Sequence, residues 1–255
     1  MTRSQPLLST DRTAGGARYS LRVAAGEDEV LAAQRLRHRV FAEEMGARLA
    51  PGPGGLDVDP FDAFCDHLVV TDDDTGAIVG TYRMLPPDRA REAGQLYSDT
   101  EFDLTALNPL RCSLVETGRS CVDAGHRTGA VVSLVWAGIA RYMLLSGHRY
   151  LAGCASVPLS DGGAEAAGVW DIVATKHFAD DAHRVTPLRP WQCDQTPRPV
   201  RPVLPPLLRG YVRLGARVCG PPAHDPDFDV ADFFVLLDLQ RVEQRYLKYF
   251  LGAAI

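Results

Sequence analysis

One stretch constrains this chain more than any other: residues 111–147, RCSLVETGRSCVDAGHRTGAVVSLVWAGIARYMLLSG. Residues 113–122 read as a strand that carries two charges, Glu116 and Arg119. A polar loop follows at 123–129. Beyond it, apolar positions Val131, Leu134, Val135, Gly138, Ile139, Tyr142 and Met143 recur with the helical period. A loop that opens a helix presents unsatisfied backbone N–H groups and the positive end of the helix dipole, so it can hold an anion. Gly125, His126, Arg127, Thr128 and Gly129 are the candidates for that loop. Glu116 and Arg119 stand three apart, so on a regular strand they face opposite sides, one toward a ligand and one bracing the sheet. Taken alone they would read as an exposed charged pair. The flanking Leu114, Val115, Cys121 and Val122 predict burial instead, and a buried charge has a partner or a task.

A chain of 255 residues holds one large domain or two small ones and can bury a substantial core. Its balance of 46% apolar and 23% charged residues is that of a globular protein. The net charge of −5, with no basic run and no zinc-finger spacing, argues against a nucleic-acid partner. Six cysteines lack any C-x-x-C pair, and residues 1–17 lack the apolar core of a signal peptide. Reduced thiols in a cytoplasm are therefore expected, with 1–17 a disordered leader and 18–255 a single domain. Helical and strand patterns mix without strict alternation, which predicts an α/β sheet with antiparallel pairing.

Along the chain, a strand is expected at 19–24, a helix at 27–44, a hairpin at 67–71 and 77–85, and irregular chain at 86–109. A strand at 150–155, a helix at 162–178, extended chain at 186–206, a strand at 232–237 and a final helix at 239–250 complete the pattern. Residues 207–218 look amphipathic, with Arg209, Arg213 and Arg217 spaced along one side. Leu207, Leu208, Tyr211 and Leu214 opposite them fit either an interfacial helix or a core helix with a charged back. Residues 184–217 hold seven arginines and one acid, a sum of +6 in a chain of −5, so the rest sums to −11. That asymmetry suits a docking face for an anionic partner.

Asp57, Asp59 and Asp62 invite a calcium loop, but Phe61, Asp62 and Leu68 fall where such a loop needs a ligand, a glycine and a glutamate. A solvated acidic loop, or a site for a cationic acceptor, remains. No zinc spacing and no G-x-S-x-G occur, and Cys154 reads as a core thiol more readily than as a nucleophile.

Several blocks in order carry a resemblance: Arg37, Arg39, Val40, Phe41 and Glu44 in the first helix; residues 62–70, DAFCDHLVV; residues 79–83, VGTYR; and residues 101–104, EFDL. ETGRSCV at 116–122, GCAS at 153–156, PPLLRGYVRLGA at 205–216 and DPDFDVADFF at 225–234 follow. Together they resemble the ornithine–acyl-carrier-protein N-acyltransferases, and more distantly the acyl-homoserine-lactone synthases. The resemblance implies the GNAT acyltransferase fold, a mixed, mostly antiparallel sheet flanked by helices. It implies a cytoplasmic enzyme at the inner face of the plasma membrane that moves a 3-hydroxy fatty acyl group from the thioester of acyl carrier protein to the α-amine of L-ornithine. No tightly bound cofactor and no metal are implied. Glu116 would be the base or water-orienting carboxylate and Arg119 its partner. Arg37, Phe41, Asp62, Arg83, Glu101 and Asp103 would shape the acceptor pocket and acyl channel. Arg201, Arg209, Arg213 and Arg217 would dock the acidic carrier, and a backbone N–H near 120–122 would meet the oxyanion, with Tyr142 a proton source for the leaving thiolate. In the phosphate loop Ala130 and Val132 stand where the fold usually has glycines, which suits a single phosphate on a phosphopantetheine arm better than coenzyme A. The alternatives are another amine acceptor, an acyl-CoA donor, an S-adenosylmethionine-using lactone synthase, and a non-catalytic binder of acyl carrier or membrane.

Overall fold

The computed structural model describes residues 7–9, 18–49, 54–243 and 245–246. Most of the expected leader, and residues 244 and 247–250 of the expected final helix, lie outside them; Leu8–Ser9 of the leader form a short strand, β1, and the expected final helix opens instead as a 3-10 turn, Leu239–Arg241, followed by non-helical chain at 242–243. The described residues group into two compact units. One comprises the described residues up to Pro86 with Thr117–His148 and residues 245–246; the other comprises Pro87–Glu116 and Arg149–Glu243.

In the first unit β1 pairs antiparallel with β2 (Tyr19–Val23), β2 with β3 (Asp66–Asp72), and β3 with β4 (Ile78–Leu85). The β3–β4 hairpin is the one expected. Asp72 caps its turn by accepting from the Asp74 N–H at 3.0 Å, and Gly76 supplies the left-handed residue, φ 74°. Helix α1 (Glu27–His38) opens on Glu27, Asp28 and Glu29 and closes on Arg35, Arg37 and His38, which suits its dipole. The expected helix at 27–44 is not uniform: α1 ends at His38 and a wider π-helical turn, Arg39–Glu44, carries Phe41 into the core.

Helix α3 (Gly129–Ser146) packs on β1 to β4 through buried Val131, Leu134, Ile139 and Met143. Gly138 permits the approach: a Cβ there would lie 2.6 Å from Leu21 of β2. With 18 residues and a mean hydropathy of 1.5, α3 is long and apolar enough to cross a bilayer. Its buried face against the sheet makes it a core helix.

The second unit turns the expected irregular stretch into short elements: α2 (Pro87–Ala93), a 3-10 turn at Tyr97–Thr100, strand β5 (Phe102–Asp103) and a 3-10 segment at Thr105–Ser113. β5 pairs with β8 (Thr186–Pro187). Strand β6 (Leu114–Val122) begins here, where Leu114, Val115 and Glu116 pair in parallel with β7 (Tyr150–Pro158). β7 pairs antiparallel with β11 (Val230–Asp238), which also pairs with β9 (Arg217–Val218) and β10 (Ala223–Asp225). The sheet is thus mixed and mostly antiparallel, as expected. Helix α4 spans Ala164–Lys176.

Helix α5 (Pro206–Arg213) turns most of its apolar face to the core: Leu208, Tyr211 and Leu214 are buried and Leu207 is half-buried, which favours the core-helix reading of residues 207–218. The helix ends at Arg213, and Gly215 at φ 99° turns the chain into β9. Arg217 therefore leaves the line of Arg209 and Arg213 and donates to the Lys176 carbonyl at 3.2 Å.

Candidate active site

The acidic run at 57–62 is folded inward in the first unit. Arg37 is 0% exposed and is met by Asp57 and Asp62. Its Nε donates to Asp57 Oδ2 at 2.8 Å, its Nη1 to Asp62 Oδ1 at 2.9 Å and its Nη2 to Asp62 Oδ2 at 2.7 Å. Arg83 on β4 lies 2.6 Å from Asp59 and 3.0 Å from Asp62. Arg119 lies 3.0 Å from Asp59 and 3.3 Å from Asp57. Three guanidiniums thus face three carboxylates, and the cluster is neutral within itself. It is neither a solvated acidic loop nor a spare pair of carboxylates for an ammonium. Burial pushes the Asp62 carboxyl up, but the hydrogen bonds and charge of Arg37, with the charge of Arg83, outweigh it and hold it well below the usual carboxylate range.

Arg119 reaches this cluster because β6 is irregular there. It takes φ 51°, a left-handed conformation rare for a residue with a side chain. Strand parity does not hold across such a residue, so the expectation that Glu116 and Arg119 face opposite sides loses its basis. His67 on β3 is 3% exposed with Nε2 3.1 Å from the Asp62 carbonyl, and burial lowers its pKa, so it sits there uncharged.

The loop of the first unit has the expected form. Asp123 accepts from the Gly125 N–H at 3.0 Å and lies 3.2 Å from His126 Nδ1, which folds Ala124–His126 into a 3-10 turn. Arg127 donates to the Val122 carbonyl at 3.0 Å and pairs with Glu44. Thr128 stands at the N-cap of α3 and makes no side-chain cap hydrogen bond. Val132 is 43% exposed, so its branched side chain stands at the surface. Tyr142 donates its hydroxyl proton to Asp66 at 2.7 Å.

In the second unit Glu116 is 4% exposed. Its Oε2 accepts from the Tyr97 N–H at 2.6 Å and its Oε1 from the Ser98 N–H at 2.8 Å. The carboxylate thereby caps the 3-10 turn that leads to Glu101. Glu101, Cys154 of β7 and Asp232 of β11 bring one ligand atom each to within 4.8 Å of one another. Ser156 donates to Asp232 at 2.6 Å, and the Cys154 thiol lies 3.4 Å from the Ser98 hydroxyl and 3.5 Å from Glu101. Burial, and then the charge of Glu101, push the Asp232 carboxyl well above its ordinary value; burial likewise raises Glu101, with Asp225 adding to it. Burial and the same two carboxyls keep Cys154 a thiol rather than a thiolate, which removes it as a nucleophile.

The other sequence candidates scatter. Phe41 is buried in the π-helical turn. Asp103 is exposed, and its Oδ1 accepts from the Thr105 N–H at 2.9 Å. Arg201, Arg209, Arg213 and Arg217 are all exposed, and among the described residues the first three have no ion-pair partner. Within the same arginine-rich segment, Arg198 pairs with Asp171 at 3.0 Å and Arg184 with Asp181 at 3.1 Å. Asp232 was not singled out from sequence. The signal was there: one acid in the otherwise apolar run VADFFVLL.

Comparison with known proteins settles the family. Residues 36–137 match the acetyltransferase (GNAT) domain. An L-ornithine N(alpha)-acyltransferase of Rhizobium meliloti (strain 1021) is 35% identical over 92% of this chain and 84% of its own length. The chain belongs to this acyltransferase family. A second relative of the same name, from Rhodobacter capsulatus, is 33% identical over 91% of this chain and 94% of its own. Among solved structures, a CoA-dependent acyl-homoserine lactone synthase matches with a TM-score of 0.56 at 17% identity, over 92% of this chain and 89% of that one. At that identity the likeness is one of fold, and it agrees with the distant resemblance read from sequence. The chain is therefore a GNAT-fold acyltransferase, whose reaction requires an acyl donor and an amino-acid acceptor.

Proposed function

We propose that this enzyme transfers a 3-hydroxy fatty acyl group from the thioester of acyl carrier protein to the α-amine of L-ornithine, the first step toward ornithine lipid, in the cytoplasm at the inner face of the plasma membrane. The observation that carries the acceptor is the identity to L-ornithine N(alpha)-acyltransferases over nearly the whole chain. The carrier donor is supported by exposed arginines Arg201, Arg209 and Arg213 without internal acid partners, a face suited to an acidic protein.

In this reading the donor's phosphate meets the loop Gly125–Gly129 and the opening of α3. Ornithine arrives as an ammonium. Glu116, directly or through one water, takes a proton from the α-amine, whose lone pair then attacks the thioester carbonyl. The C–S bond breaks and the thiolate leaves, taking up a proton. Such a base contributes about 10²–10⁴-fold. Both Glu116 oxygens already accept a backbone N–H, so the carboxylate is preset in orientation before substrate binds. Tyr142 is committed to Asp66 and is given no part in the proton transfer.

The test is an assay of purified protein with 3-hydroxyacyl-acyl carrier protein or 3-hydroxyacyl-CoA and a panel of amino acids, read by mass spectrometry. N-acylornithine formed from the carrier thioester is the expected product. Product with another amino acid alone, or from the CoA thioester alone, would overturn the acceptor or the donor respectively.

A further inference from the structure

In the first unit the inward-folded carboxylates have cationic partners: Asp57, Asp59 and Asp62 are matched by Arg37, Arg83 and Arg119. Glu101 and Asp232 differ. Asp232 is 2% exposed, and among the described residues neither carboxylate forms an ion pair with a lysine, arginine or histidine. Glu101 Oε1 is sealed from solvent and accepts no hydrogen bond. Two acids facing each other in a dry site are unfavourable unless a proton or a cation lies between them. The Asp232 carboxyl hydrogen-bonds Glu101, which Tyr97 also meets, and a cation can take the place of the shared proton. Neighbouring Ser98, Ser156 and Cys154 are neutral donors or weak acceptors, and nearby Asp225 and Glu116 add negative charge. Taken as whole residues, Glu101 and Cys154 are half-buried, whereas Asp232 is buried.

We infer that Glu101 and Asp232 form the subsite for the second, side-chain ammonium of the acceptor, and so select a diamino acid over one with a neutral side chain. This rests on the acceptor reading above. Ornithine carries two amines separated by a short alkyl chain; one must lose a proton to react, and the other stays charged. Ser98 links Glu116 on β6 to the Glu101–Asp232 pair: its N–H donates to Glu116 at 2.8 Å and its hydroxyl lies 3.4 Å from Cys154 of the cluster, which gives the two amines separate carboxylates within one unit. A divalent metal fits less well, because the cluster offers two carboxylates and a protonated thiol, and a metal-binding cysteine must be a thiolate.

Ornithine is compared with norvaline, the same chain lacking the terminal amine, in the wild type and in Asp232→Asn and Glu101→Gln. Both substitutions keep shape while removing charge. The wild type is expected to prefer ornithine, and each variant to lose about a hundredfold or more of the ornithine-to-norvaline ratio of kcat/KM. In parallel, ornithine is expected to raise the melting midpoint of the wild type but not of the variants, a readout independent of turnover that also shows the variants are folded. A ratio unchanged within about threefold, or variants still stabilised by ornithine, overturns the inference. Stabilisation of the wild type by zinc or manganese and not by ornithine does the same. A wild type that acylates other amines but not ornithine overturns the acceptor reading, and this inference with it.

Discussion

Replacing Arg37 by methionine should unmask the buried charge cluster. Arg37 is 0% exposed, and its partners Asp57 and Asp62 have side-chain exposures of 3% and 7%. Methionine keeps most of the apolar stem, so the loss reports charge and hydrogen bonds rather than packing. Removing one member of a buried ion pair costs about 3–5 kcal/mol, because the other is left uncompensated. Arg83 at 3.0 Å and Gln34 at 2.9 Å still serve Asp62, which places the expected loss toward the low end, about 3 kcal/mol. Arg37→Lys should fall between, since it restores charge without the guanidinium fork. Urea unfolding followed by circular dichroism reads the difference, with the slope checked for two-state behaviour in a chain of two units. The pH dependence gives a second check. The Asp62 carboxyl is depressed in the fold, so its contribution is present above the unfolded carboxylate pKa and is lost as pH falls below about 4. The gap between wild type and Arg37→Met should be full at neutral pH and narrow in acid. A loss under about 1 kcal/mol at pH 7, or a gap that persists unchanged in acid, would refute the argument.

Glu116→Gln should cut kcat by about 10²-fold or more if the carboxylate is the base, and also loosen the 97–98 turn, because an amide presents a donor where two N–H groups need acceptors. Near-wild-type turnover from folded protein would remove Glu116 from the chemistry. Reversing Arg201, Arg209 and Arg213 together to glutamate should raise KM for the acyl-carrier donor about tenfold or more, an effect that salt weakens, with stability little changed since all three are exposed. Equal KM values at low salt would place carrier docking elsewhere. Asp232→Asn should stabilise the ligand-free protein increasingly as pH rises. The Asp232 and Glu101 carboxyls, surrounded by Asp225, Glu116 and the Cys154 thiol, are raised in the fold, so the wild type loses stability as pH climbs above the unfolded carboxylate values. A variant less stable than wild type at pH 8 in thermal melts would contradict the raised pair.

Elements with strong periodicity, and the family, are legible in the residues alone. Residues 113–146 announced strand, loop and helix because alternation, a polar break and a helical repeat are local properties of the chain. The ordered blocks from Arg37 to Phe234 announced the acyltransferase. How the charges are used emerged only on folding. Nothing local tells that Asp57, Asp59 and Asp62 turn inward onto Arg37, Arg83 and Arg119, because those partners arrive from α1, β4 and β6. Arg119 contributes only because its backbone leaves regular strand geometry, which a period-two reading cannot foresee. The amphipathic pattern at 207–218 could not choose between membrane and core; the burial of Leu208, Tyr211 and Leu214 on folding favours the core. Glu101 and Asp232 lie far apart in sequence, and their unfavourable closeness exists only once β11 lies beside β7. Local propensity and pattern are written residue by residue, whereas compensation of charge is a property of neighbours that the chain meets only in three dimensions.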